Sequence, residues 1–130
     1  MAVVVEPVLP EEKLRSLLAE GHEQSSLDYK KTLNLGERRD VVELTKDVAA
    51  MQSQKTGRYI VIGADDHGTV VPDLTPELAK LLDEATVRGK LTRYLAEPLD
   101  IHTAQFTVDG AIVVLIYIGP HEHGSTPTKT

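Results

Sequence analysis

A chain of 130 residues, 41% apolar and 26% charged, is long enough for one hydrophobic core and has the composition of a soluble globular domain. No apolar run approaches the roughly 20 residues of a membrane span. The chain does not open on a secretory signal pattern, and no cysteine is present for a disulfide, a thiolate metal site or a thiol nucleophile. The expected location is therefore cytoplasmic. A net charge of −6 counts against a nucleic-acid partner, since phosphate contacts supply most of such affinity. The charge is uneven, however: residues 1–27 hold two basic and five acidic side chains, and residues 28–58 hold seven basic and five acidic. Residues 80–97 add four basic side chains against three acidic. A basic face on an acidic body and a merely solvated helix face are both compatible with this distribution.

Residues 1–9, apolar but carrying Pro7, read as an N-terminal arm. After Pro10, acids in the first turn, Leu14, Leu17 and Leu18 on one face, and Gly21 as a stop predict a short amphipathic helix. From Leu27 apolar and polar residues alternate. In a strand, Leu27 and Tyr29 would face the core while Asp28 and Lys30 share the opposite face. A carboxylate and an ammonium two residues apart suit a metal site or a phosphate contact, and equally an exposed ion pair of little energetic weight.

Residues 36–54 carry the clearest helical period, with Val41, Leu44, Val48 and Met51 on one side and Arg38, Arg39, Glu43, Lys46 and Asp47 on the other. Tyr59-Ile60-Val61-Ile62 reads as a strand buried on both faces. Gly63-Ala64 thins the chain, and Asp65-Asp66-His67-Gly68 supplies a tight turn before a strand-like Thr69-Val70-Val71. The two carboxylates are either ordinary turn formers or functional groups held at the mouth of a rigid strand.

Thr75-Pro76-Glu77 is a strong helix start, followed by a stripe of Leu78, Leu81, Leu82 and Ala85. Gly89 predicts a break, with a second helix through Leu91, Tyr94 and Leu95 until Pro98. Residues 101–108 and 111–118 flank Asp109-Gly110, the two-residue hairpin signal. The expectation is an α+β domain over residues 10–118: a mixed sheet of about five strands with helices packed on it, ending in a C-terminal β-hairpin. Residues 119–130 read as a flexible tail. Within it His121, Glu122 and His123 are spaced like a metal-ligand set, whereas His22, His67 and His102 each lack a second ligand at helical spacing. No phosphate-binding glycine loop or serine–histidine arrangement is present. Tyr29, Tyr59 and Tyr117 lie in predicted strands and read as core, which argues against base stacking on an open platform.

Three segments in order, Glu23-x4-Asp28-Tyr29-Lys30, then Val42-Glu43-Leu44-Thr45-Lys46-Asp47-Val48-Ala49-Ala50, then Tyr59-Ile60-Val61-Ile62-Gly63-Ala64-Asp65-Asp66-x-Gly68, resemble the Schlafen-type, Alba-like DNA-binding domain family. The match in order and spacing runs from about Glu23 to Ile118. Two departures are visible. Asp28 stands where the family usually has Glu, and the connection from Met51 to Gly57 has one glycine where two are usual.

The resemblance implies two activities. Bacterial members are regarded as nucleic-acid-binding modules attached to larger regulators, which makes this chain a candidate part of a transcriptional regulator. Some animal members are endoribonucleases that cut structured RNA with three acids and a divalent metal, and by position those acids would be Glu23, Asp28 and Asp65, with Asp66 as substitute for the last. Mg²⁺ or Mn²⁺ would suit such carboxylates and a bridging phosphate. For binding, the candidates are Lys30, Lys31, Arg38, Arg39 and Lys46, engaging backbone phosphate of DNA or structured RNA with little base readout. An inert protein-interaction module, which the net charge favours, is the third alternative. A homodimer is expected, since the two-lobed members of the family carry two such units in one chain.

Overall fold

In the computed structural model, residues 9–52, 57–95 and 99–119 are described. The arm up to residue 8, the tail from residue 120 with His121 and His123, and Pro98 lie outside them. The elements run α1 (Glu11–Glu20), β1 (Leu27–Lys30), α2 (Arg38–Gln52), β2 (Arg58–Ile62), α3 (Pro76–Lys80), α4 (Glu84–Leu91), β3 (Ile101–Val108) and β4 (Ala111–Ile118). The strands form one mixed sheet in the order β1-β2-β4-β3, with β1 parallel to β2 and the other pairs antiparallel.

Two-residue alternation divides the strand side chains between the two sheet faces. On one, Leu27, Tyr29, Tyr59, Val61, Val113, Leu115 and Tyr117 pack with Leu14 and Leu17 of α1. On the other, Ile60, Ile62, Val114 and Ile116 pack under Leu44 and Val48 of α2, Ala79 of α3, and Val87 and Leu91 of α4. β2 and β4 are covered on both sides, which is why their sequences are apolar throughout. The Tyr29 hydroxyl fastens α1 to the sheet: it donates to the Leu17 carbonyl at 2.5 Å and accepts from the Gly21 amide at 3.2 Å. Burial pushes the pKa of that phenol up.

The sheet has four strands, not about five. Thr69-Val70-Val71 contributes only an isolated bridge, Ala64 to Val70. Gly63 turns the chain at φ 111°, and the Asp65 and Val71 amides donate to the Thr69 and Gly63 carbonyls at 2.9 Å each, so that the segment pairs only with the other side of its own narrow loop. A Cβ at Gly63 would lie 2.7 Å from the Ile112 carbonyl oxygen, so the close approach of this loop to β4 requires glycine. β3 and β4 are antiparallel and joined by Asp109 at φ 52° and Gly110 at φ 81°, the two positive angles of a type I′ turn.

Two helix boundaries also differ from expectation. α2 begins at Arg38, not 36, because residues 34–37 form a side-chain-tied turn: the Gly36 amide donates to Asn34 Oδ1 and the Asn34 amide to Asp40 Oδ2. The break in the following helical region falls at Asp83, not Gly89. Asp83 is extended (ψ 153°), and its carboxylate accepts from the Thr86 amide, so it N-caps α4 and leaves Ala85 exposed. Gly89 stays inside α4 on an open surface.

The outer edge of β3 is partly covered by α4. Arg88 donates to the carbonyls of Leu99 and Ile101, and Glu84 accepts from the Thr103 amide at 3.2 Å. These bonds satisfy edge groups that would otherwise be open to another strand.

Candidate nucleic-acid interface

β1 is an edge strand, and its alternation turns Asp28 and Lys30 towards α2 while Leu27 and Tyr29 enter the core beneath α1. Lys30 Nζ lies 3.6 Å from Asp28 Oδ2 and 3.3 Å from Asp47 Oδ2 of α2, and Arg58 Nη2 of β2 lies 3.7 Å from the same Asp28 oxygen. The Asp28 and Arg58 side chains retain only 14% and 15% exposure, so this is an interlocked, half-buried network and not the open surface pair that one of the sequence readings allowed. Burial pulls the Lys30 ammonium down, but the charges of Asp47 and Asp28 together outweigh it and its pKa is raised.

Glu23, in the loop before β1, meets Asp28. Its pKa is raised, first by a side-chain hydrogen bond with Asp28, then by burial and by the charges of Asp28 and Asp66, with Arg58 opposing. Asp65 behaves differently. Its Oδ1 accepts from the amides of His67 at 2.9 Å and Thr69 at 3.0 Å, and these bonds hold its carboxyl below the usual range. Asp65 therefore shapes its own turn, and it is Asp66 that adds charge at Glu23. Among the described residues no group of three or more histidine, aspartate or glutamate side chains is placed to hold a metal ion. His22, His67 and His102 are not gathered either; His102 sits between Glu84 and Asp100 at 3.3 and 3.0 Å.

The basic candidates separate into two kinds. Lys30 is held by Asp28 and Asp47, and Arg39, 85% exposed, stands 3.6 Å from Asp40. Lys31, Arg38 and Lys46 are exposed and make no ion pair among the described residues. Arg38 also lines a cleft of about 340 Å³ with Leu35, Gly36, Val41, Lys90, Arg93 and Tyr94. Lys90 and Arg93 were not singled out from the sequence. The signal that points to them is the basic excess of residues 80–97, which carries no information about where α4 ends relative to α2.

A family model described as Schlafen, AlbA_2 matches residues 23–130. No curated protein sequence matches the chain. Among solved structures, the fold is similar to that of the DIP2311 protein from Corynebacterium diphtheriae, with a TM-score of 0.53 and 19% identity. That alignment covers 86% of this chain and 23% of the other, so the chain spans about a quarter of the length of that protein. With the family model matching well over half of the sequence, in the region that contains β1, α2 and the Asp65 turn, the chain belongs to the Schlafen, AlbA_2 family.

Proposed function

We propose that this domain binds nucleic acid, DNA ahead of RNA, through backbone phosphate and with little base readout, as the DNA-binding part of a transcriptional regulator. The observation that carries the reading is the set of exposed cations without intramolecular ion pairs, Lys31, Arg38 and Lys46, in a family of nucleic-acid-related domains. A cation already matched to a carboxylate gives little to a phosphate, because binding must first break the existing pair. An unmatched one releases counterions from the nucleic acid at no such cost. Lys30 accordingly has the smaller part, holding β1 to α2. Arg39 adds a contact that competes only with a solvent-screened neighbour. A homodimer would set two such surfaces along one duplex; the half of β3 beyond Thr103, which α4 does not bond, is the edge through which it would form.

The test is a binding titration of duplex DNA and of tRNA-like RNA at two salt concentrations, with and without Mn²⁺. The reading expects affinity that falls steeply with salt and tolerates changes of sequence. A slope near zero would overturn it and leave the protein-interaction module. A second reading, a metal-dependent endoribonuclease, is favoured by the Glu23–Asp28 contact, two acids held together at the edge of a basic region. RNA cleavage that requires Mg²⁺ or Mn²⁺ and disappears in Asp28→Asn would establish it in place of the binding reading.

A further inference from the structure

We propose that the cleft between the start of α2 and the end of α4 is a pocket for one nucleotide of a bound strand, its phosphate held by Arg38, Lys90 and Arg93 and its base set against the ring of Tyr94. The proposal rests on the nucleic-acid reading above and adds to it a defined place and a defined ligand unit.

The cleft, at about 340 Å³, falls within the roughly 300–1,000 Å³ of small-molecule sites. Its lining brings Arg38 of α2 together with Lys90 of α4 and Arg93 just beyond that helix, and contains no carboxylate among the described residues. None of the three cations makes an ion pair among the described residues. The acids closest in sequence lie outside the lining: Glu37 is exposed between Gly36 and Arg38, and Asp40 accepts from the Asn34 amide and stands beside Arg39. Glu84, the acid of α4, is bonded at the far end of that helix to Thr103. Three like charges on one cleft, none of them ion-paired among the described residues, repel one another. An anion would relieve that repulsion. The chain's net charge of −6 makes the spot a local exception that draws an anion to itself. The N-terminus of the 15-residue helix α2, with Gly36 and Arg38 on the cleft wall, points the same way.

Inorganic phosphate alone would leave Tyr94 unused. Leu35 and Val41 are buried and close the cleft from beneath, and the partly exposed Tyr94, packed against the same core cluster, is the apolar surface left open beside the cations. That combination matches a nucleotide, with a flat apolar base at one end and a dianionic or diester phosphate at the other.

The experiment titrates the ¹⁵N-labelled full chain at low salt with AMP, with inorganic phosphate and with adenosine. In parallel it measures fluorescence anisotropy of a labelled oligonucleotide with the wild type and with Lys90→Gln/Arg93→Gln. AMP should shift the amide signals of Gly36, Arg38, Gly89 and Tyr94 saturably, phosphate less, and adenosine not at all. The double variant should keep its melting temperature, lose those shifts, and bind the oligonucleotide at least about tenfold more weakly, with a salt slope lower by about 2. Oligonucleotide affinity and slope unchanged in the double variant would overturn the pocket while leaving the nucleic-acid reading intact. Absence of oligonucleotide binding by the wild type would overturn the nucleic-acid reading and with it the strand. The AMP arm then decides the phosphate pocket on its own: shifts confined to the cleft support it, and scattered or variant-insensitive shifts reject it.

Discussion

The two charged regions beside α2 draw on the same cations, lysine and arginine, and have opposite character. At the β1 edge, Asp28, Lys30, Asp47 and Arg58 interlock at 3.3–3.7 Å, half-buried, each cation facing an acid. At the other end of α2, Arg38, Lys90 and Arg93 converge on a cleft with no acid in its lining among the described residues. The first arrangement holds a strand to a helix, whereas the second has charge to offer. Counting lysines and arginines cannot separate them; what separates them is which carboxylates the fold brings alongside.

The largest expected effect comes from breaking the matched region. Asp28→Ala leaves Lys30 and Arg58 facing each other without their shared acid, and a loss of about 1–3 kcal/mol is expected in urea denaturation. Arg38→Ala should stay within about 0.5 kcal/mol of wild type in the same assay, as an exposed side chain without partners does. Equal losses in the two variants would mean that the two regions do not differ in this way.

Stability against pH gives the next test. Because the folded-state pKa of Glu23 is raised above its ordinary value of 4.5, its contribution is fully present below that value and is lost as pH rises through the raised one. Glu23→Gln should therefore flatten the fall in stability as pH rises above 4.5. Asp65 has the opposite sign: its pKa is lowered, so its contribution is present above its ordinary 3.8 and is lost as pH falls. Asp65→Asn should weaken the turn at neutral pH, where the charged carboxylate accepts from both amides. Urea midpoints at a series of pH values check both variants, and a curve for Glu23→Gln parallel to the wild type would count against the raised pKa of Glu23.

The smallest effect belongs to Arg39. Its pair with Asp40 is open to solvent on the arginine side, and Arg39→Ala is expected to change stability by no more than about 0.5 kcal/mol.

Much of the architecture was legible in the residues. Alternation from Leu27 placed Asp28 and Lys30 on one face, the 3.6-residue period placed Leu44 and Val48 inward, and Asp109-Gly110 marked the turn between the last strands. What was not legible depends on contacts between distant segments. Thr69-Val70-Val71 has strand-like residues, yet the Gly63 turn and the Asp65 and Val71 amide bonds pair the segment only with the other side of its own loop. Gly89 looked like a helix break because glycine is a poor helix former, but the Asp83 cap decided the boundary and Gly89 costs only its local propensity. At the site, the spacing shared by Asp28 and Lys30 was visible, while the third and fourth members, Asp47 and Arg58, came from a helix and a strand that only packing brings together. Lys90 and Arg93 were visible as charge and invisible as a cleft, since their meeting with Arg38 depends on where α4 stops.

The central claim is that the availability of a cation, and not its presence, decides which residues meet nucleic acid. The most direct measurement is the salt dependence of DNA affinity for Lys30→Gln and Arg38→Gln side by side. Lys30→Gln should leave the slope of log affinity against log salt close to that of the wild type, and Arg38→Gln should lower it by about 1. A slope that falls for Lys30→Gln and holds for Arg38→Gln would contradict the account.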